Sequence, residues 1–75
     1  MSQKVTYKDT LEVMITLQLS MDAALEYRTL VHQLFPNQDI QVPLSKFLSA
    51  LKESKNKELQ SKESKAKEIL TKLKA

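Results

Sequence analysis

The residues of this chain that could perform acid–base or metal chemistry are few and scattered. His32 is the single histidine, and there is no cysteine. Nucleophilic catalysis needs a base held beside a Ser, Cys or Thr, with a third group that orients the base. No carboxylate stands three or four residues from His32, and the i, i+4 pair Asp22 and Glu26 is more typical of a solvated helix face than of a metal site. The sequence therefore predicts a protein that is not an enzyme and that has no cofactor and no metal ligands.

Lysine is the side chain whose spacing points most strongly to binding. Residues 52–61 and 62–71 are two copies of a ten-residue repeat in which six positions are identical. In both copies each Glu precedes a Lys by four residues, as in Glu58–Lys62 and Glu68–Lys72, which is the favourable order on a helix. Residues 52–75 hold eight Lys and four Glu, a net charge of +4, whereas the first 51 residues have a net charge of −1. The basic charge therefore belongs to a predicted C-terminal helix.

Surplus lysine on a helix attracts phosphate, so a small nucleic-acid-binding regulator is the alternative function. Residues 52–75 contain no aromatic side chain for base stacking and no Arg for bidentate contacts. An interfacial membrane helix needs a broad apolar face with Trp or Phe, whereas Lys55 and Lys62 interrupt the apolar stripe here. A protein partner is therefore favoured over nucleic acid, and no membrane is expected.

Two long helices are predicted to position these residues. The apolar residues between Leu11 and Phe35 follow two seams, as they do in a helix packed between neighbours. Pro36 ends this first helix, and a second helix begins near Pro43 and reaches Leu73, about 45 Å further if unbroken. The first seam is Leu11, Met14, Gln18, Met21 and Leu25, and the second is Val13, Leu17, Ser20, Ala24, Tyr27, Val31 and Leu34.

A small α+β arrangement is the alternative to this all-α fold. Val13, Ile15 and Leu17 alternate with more polar neighbours, which is the period of a half-buried strand. Ser20 would then cap a separate helix over residues 21–35. Residues 39–43 alternate as well, although Pro43 removes a ladder donor. The all-α helical hairpin is favoured, with short strands near 12–19 and 39–43 as the alternative.

A chain of 75 residues builds a small core unless it pairs with a second copy. We therefore expect residues 1–51 to form a helical hairpin that pairs as a homodimer, so that four helices share one interior. No apolar run is long enough to span a membrane and no signal pattern is present, which predicts a cytoplasmic protein. The predicted dimer and core residues are Leu11, Met14, Leu17, Met21, Leu25, Val31, Leu34, Leu48 and Leu51.

Residues 52–75 are predicted to project from the hairpin as a Lys-rich helical extension. In the first repeat copy Leu59 is the only large apolar side chain, which indicates a solvated spacer. The second copy is amphipathic, so that its apolar anchors would enter a groove of a partner while its lysines face acidic groups. The predicted partner-binding residues are Lys65, Ala66, Lys67, Ile69, Leu70, Lys72, Leu73 and Lys74.

The segment from Lys65 to Lys74, on a helical dimer without Gly or Cys, resembles the internal scaffolding proteins of tailed phages and their satellite elements. The resemblance implies a C-terminal helix that docks on the inner face of the capsid protein and sets the curvature of the shell. It also implies apolar capsid contacts at Ile69, Leu70 and Leu73, with charged contacts at Lys67 and Lys72. We therefore expect a dimeric adaptor or assembly scaffold that docks its basic C-terminal helix on a larger protein such as a capsid subunit.

Overall fold

Five helices and one two-stranded sheet make up residues 3–74, the part of the chain that the computed structural model describes. None of these helices is long and apolar enough to cross a lipid bilayer. The expectation of a mostly helical fold is confirmed, with a small sheet in addition. In chain order the elements are β1 (Lys4–Val5), α1 (Tyr7–Leu17), α2 (Met21–Leu34), β2 (Val42–Pro43), α3 (Leu44–Lys52), α4 (Lys57–Ser61) and α5 (Glu63–Lys74).

The predicted helix over residues 11–35 is two helices rather than one. α1 begins with a capping box, in which the Thr6 hydroxyl accepts the Asp9 N–H and the Asp9 carboxylate accepts the Thr6 N–H. Gln18 then takes the left-handed conformation, with φ of 52°, and ends α1. Ser20 caps α2 by accepting a backbone N–H from its first turn, as the alternative arrangement expected. The apolar seams continue across this break, so spacing alone does not reveal it.

Of the two short strands in the alternative arrangement, the one near residues 39–43 is present and the one near residues 12–19 is not. Residues 12–17 lie in α1, so a strand over 12–19 is wrong. β2 lies within the other region and pairs antiparallel with β1, with Val5 opposite Val42 and Lys4 opposite Pro43. Pro43 is tolerated because a two-stranded sheet leaves one edge of each strand unpaired, where the missing N–H is not needed.

The predicted single helix from Pro43 to Leu73 is wrong, because this segment forms three helices. α3 ends at Lys52, and the side chain of Asn56 then accepts two backbone N–H groups of α4, at 2.9 and 3.3 Å. This is N-cap chemistry, which starts a new helix in a new direction. Lys62 joins α4 to α5. The chain therefore folds back on itself within principal extents of 31 × 24 × 20 Å instead of extending as a rod.

One hydrophobic core joins all of these elements. α1 lies between α2 and α5, since the Tyr27 hydroxyl on α2 donates to the Thr10 carbonyl at 2.7 Å and Lys74 on α5 pairs with Asp9. The predicted boundary at residue 51 does not separate two packing units, because side chains from both sides of it fill the same interior. The core includes Val5, Val13, Tyr27, Phe35, Val42, Phe47 and Leu51 from the first part of the chain, and Leu59, Ala66 and Leu70 from the second.

Candidate protein-interaction surfaces

α5 turns one face to the core and another to solvent. Ala66 and Leu70 are fully buried, so their prediction as partner contacts is wrong for the folded chain. Ile69 is half-buried and Leu73 is 46% exposed. The two pairs form adjacent rows at i, i+4 spacing. Two of the four predicted apolar anchors therefore remain available to a partner.

Ile69 and Leu73 line a shallow groove between α5 and α1, with a volume of about 220 Å³. Thr16 contributes from α1, and it has no place in the predicted partner-binding set. Lys65, Glu68 and Lys72 stand beside the two apolar side chains. Lys72 pairs with Glu68 at 3.4 Å, but most of its side chain is exposed. The groove thus combines an apolar floor with a lining of two lysines and one glutamate, and we call it the docking groove.

The four predicted lysines do not share one role. Lys65, Lys67 and Lys72 are exposed, whereas Lys74 forms a salt bridge with Asp9 at 2.5 Å. Partial burial opposes ionisation of Asp9, yet hydrogen bonds from Lys74 and Thr6 outweigh it and hold the pKa of this carboxyl below its usual value. Lys74 therefore fastens the end of α5 to the start of α1 instead of facing a partner.

The end of the first repeat copy and Lys62, the first residue of the second copy, pack on the corner between α1 and α2. Leu59 is fully buried, so the prediction of a solvated spacer is wrong. Glu58 accepts the Ser20 N–H at 2.9 Å, and Lys62 donates to the Leu17 carbonyl at 2.8 Å. The hydrogen bonds from Ser20 lower the pKa of the Glu58 carboxyl. The Glu58–Ser20 and Lys62–Leu17 contacts join residues that are 38 and 45 positions apart. This separation explains why the sequence alone does not show them.

A second exposed apolar surface lies on α1 and α2. Leu11 and Ile15, one turn apart on α1, are 40% and 69% exposed. Met21 and Leu25, one turn apart on α2, are 80% and 58% exposed. The predicted set omits Ile15, although its i+4 spacing from Leu11 is the signal that identifies it. Side chains of this size are usually buried or in contact with a partner when they cluster.

The two helices share a cavity that Leu11 lines. Its volume is about 250 Å³, and its lining includes Leu11 and Met14 from α1 and Arg28 and His32 from α2. Leu25 precedes Arg28 by three residues and Ile15 follows Leu11 by four, so helical spacing puts both on the faces of their helices that carry cavity residues. The apolar residues of this surface, Leu11, Met14, Ile15, Met21 and Leu25, are called the hairpin face.

The predicted dimer and core residues divide between the interior and the hairpin face. Leu17, Val31, Leu48 and Leu51 are buried in the monomer, and Leu34 is partly buried against the same core. The remaining members, Leu11, Met14, Met21 and Leu25, belong to the hairpin face, where Met14 is also partly buried against the core. Most members of the second seam thus face the monomer core, although Ser20 is exposed.

The polar groups near the core are engaged in structural contacts. Within residues 3–74, no cluster of three or more His, Asp or Glu could hold a metal ion. The Tyr27 hydroxyl donates to the Thr10 carbonyl, and burial raises the pKa of this phenol. His32 lies on the exposed side of α2 at the edge of the cavity.

Comparisons of the sequence and the structure with known proteins gave no significant match to a protein-family model, a curated protein or a solved structure. Function must therefore be argued from the geometry of the chain itself.

Proposed function

We propose that this protein is a non-enzymatic interaction module, a dimeric adaptor or assembly scaffold that docks α5 on a larger protein. The observation that carries the proposal is the docking groove, in which Ile69 and Leu73 stay accessible beside Lys65 and Lys72. This surface suits a partner segment that places acidic residues next to apolar ones. The apolar contacts would supply most of the affinity, and the lysines would orient the encounter. A capsid subunit is the partner class that the resemblance to scaffolding proteins implies.

The docking groove is a preformed surface on the folded chain. α5 is fixed by Ala66 and Leu70 in the core and by the Lys74–Asp9 salt bridge. Binding at Ile69 and Leu73 therefore avoids the conformational entropy that a disordered extension would lose. Apart from Lys74, which pairs with Asp9, residues 63–74 hold three Lys and two Glu, a net charge of +1, which favours an acidic partner surface.

Leu73→Glu tests the proposal directly. Leu73 is partly exposed, so the substitution changes the groove while α5 keeps its buried contacts. The full-length chain is immobilised and used to capture host proteins, with Thr71→Glu as the control. Thr71 is exposed on α5 outside the docking groove, so this variant adds the same charge elsewhere on the helix. We expect wild type and Thr71→Glu to retain a protein that Leu73→Glu loses, and equal capture by all three would contradict the proposal.

Nucleic-acid binding by the lysines makes a different prediction. Its affinity would fall steeply with salt and would depend on the number of lysines, but not on an apolar side chain. Filter binding of duplex DNA and single-stranded RNA at low and high salt measures this, with Leu73→Gln as a variant of unchanged charge. Salt-sensitive retention that survives Leu73→Gln would favour the nucleic-acid function over the adaptor.

A further inference from the structure

We infer that the hairpin face is a homodimer interface whose occupant is a second copy of this chain. The inference deepens the proposed function and rests on its dimeric form, to which it adds the surface of pairing. Among residues 3–74, four of the five exposed large apolar side chains belong to this face: Leu11, Ile15, Met21 and Leu25. Leu11 also lines the cavity between α1 and α2. Contiguous apolar surface of this kind marks an interaction site on a soluble domain.

The charges around the hairpin face favour self-association over a strongly charged partner. Four ionised side chains lie three residues along the helix from a member of the face: Lys8, Glu12, Asp22 and Arg28. Their charges cancel, unlike those of α5. A two-fold axis brings the same surface together twice, so a face with a large net charge would repel its own copy, whereas this one does not.

The residue types of the hairpin face also match the centre of a protein interface. Met and Arg are enriched at such centres, and Lys is depleted. The face carries Met14 and Met21 with Arg28 beside them, and α2 contains no lysine. Lys8 on α1 is the one lysine beside the face, and four other lysines lie on α5. The two surfaces therefore differ in chemistry, with the hairpin face suited to burial.

A stable dimer uses a sizeable share of the surface of so small a chain. The accessible surface of the chain is 5111 Å², and an interface of standard size buries about 800 Å² on each partner. Pairing through the hairpin face therefore buries about one sixth of the surface of each copy.

Pairing through the hairpin face leaves the docking groove open. Leu11 lines the cavity and Thr16 lines the docking groove. These residues are five positions apart on α1, a rotation of about 140° around the helix axis, and Ile15, the member of the face nearest to Thr16, is about 100° from it. A dimer built this way carries two docking grooves, so it could hold two partner subunits at once and gain avidity.

Sedimentation equilibrium of the full chain, over micromolar to millimolar concentrations, tests the inference. We expect the wild type to dimerise and Leu25→Glu to raise the dissociation constant at least about tenfold. Gln33→Glu, which adds the same charge on α2 away from the face, should pair as the wild type does. Circular dichroism should show unchanged helix content in both variants. A wild type that stays monomeric throughout, or a Leu25→Glu variant that pairs normally, would overturn the inference.

A second measurement locates the interface without a substitution. Amide NMR shifts of the wild type should move on dilution in α1 and α2, around Leu11 and Leu25, and stay constant in α5. Shifts confined to α5 would place the pairing surface elsewhere and overturn the inference.

Two variants separate this inference from the proposed function. Leu73→Glu should lose partner capture and remain dimeric, whereas Leu25→Glu should become monomeric and retain single-site capture. A monomeric wild type that captures a partner through Leu73 would overturn the pairing and keep the adaptor function. A dimer paired through Leu25 that captures no partner would support the pairing and contradict the adaptor function.

Discussion

The Nζ of Lys62 donates a hydrogen bond of 2.8 Å to the carbonyl oxygen of Leu17, which lies 45 residues earlier in the sequence. Leu17 is the last residue of α1, so its carbonyl has no partner within the helix and the cation compensates for this. Glu58, one turn before Lys62, accepts the N–H of Ser20 at the start of α2. A carboxylate suits a helix N-terminus as a cation suits a C-terminus. One Glu–Lys pair of the repeat thus caps both helices at the corner where they meet.

Lys62→Met should lower the free energy of unfolding by about 1 kcal/mol, because the Leu17 carbonyl loses a charged donor while the aliphatic packing is kept. Lys67→Met is the matched control, since Lys67 is exposed on α5. Urea titration of both variants measures the difference. Equal stability of the two variants would show that the corner contact contributes nothing.

The Glu–Lys repeat also shows how much of the fold could be predicted from the sequence. Its i, i+4 spacing indicates helix, and α4 and α5 are helical, with Glu68–Lys72 formed at 3.4 Å. The corner contacts of Glu58 and Lys62 could not be predicted, because they depend on a fold-back that joins distant segments. A lysine that interrupts an apolar stripe indicates exposure, yet Lys62 lies along the protein with only 32% of its side chain exposed.

The breaks in the two predicted helices had weak local signals. Ser20 and Asn56 are good N-cap residues, and both cap a helix. The helix ends before them lack Gly and Pro, and Gln18 takes a left-handed conformation that is uncommon for its residue type. Apolar periodicity continues through the first break, and Lys55 interrupts it at the second without a turn residue such as Gly or Pro, so apolar spacing predicts longer helices than those that form.

The prediction for α5 was correct about its amphipathic character but not about which side is free. Ala66 and Leu70 form one row, Ile69 and Leu73 the next, and helical spacing cannot say which row meets the core. That choice is made by the turn before α4, which brings α5 back beside α1. The sequence therefore predicts which apolar residues of α5 lie in the same row, but not which row packs on the core and which row faces solvent.

Leu70→Ala and Leu73→Ala provide the same chemical change in these two rows. Leu70 is fully buried, so its truncation should cost about 2–5 kcal/mol of unfolding free energy. Leu73 is 46% exposed, and its truncation should cost about 1 kcal/mol or less. Chemical denaturation of both variants measures this contrast. Similar losses would mean that α5 does not hold the orientation described.

Tyr27→Phe should destabilise the fold by about 1 kcal/mol, because the buried Thr10 carbonyl loses a donor. The edge-to-face contact with Phe47, at a centroid distance of 6.2 Å, is kept by the new ring. Burial raises the pKa of Tyr27 in the folded state above its ordinary value of 10.0. Wild type should therefore lose stability as the pH rises above that value, since only the unfolded state then ionises this phenol. Thermal unfolding of both proteins at neutral and alkaline pH tests this, and an identical alkaline loss in Tyr27→Phe would contradict it.

Acid should weaken the contacts of Asp9. Its pKa in the folded state lies below the ordinary value of 3.8, so its contribution to stability is present above that value and is lost as the pH falls through the folded pKa. Asp9→Asn should be less stable than wild type at neutral pH, and the difference should shrink in acid. Asp39→Asn, in an exposed loop, is the control. A gap between wild type and Asp9→Asn that stays constant from neutral pH into strong acid would exclude this salt bridge as its cause.

Native-state amide hydrogen exchange tests most directly whether the basic C-terminal segment belongs to the folded core. The backbone amides of Ala66 and Leu70 in α5 are compared with that of Val13 in α1, all three residues being fully buried. We predict similar protection at the three positions, because one cooperative unit contains both helices. Exchange of the α5 amides at the rate of an unstructured peptide, with Val13 still protected, would show that the segment is a detached extension and would contradict the account.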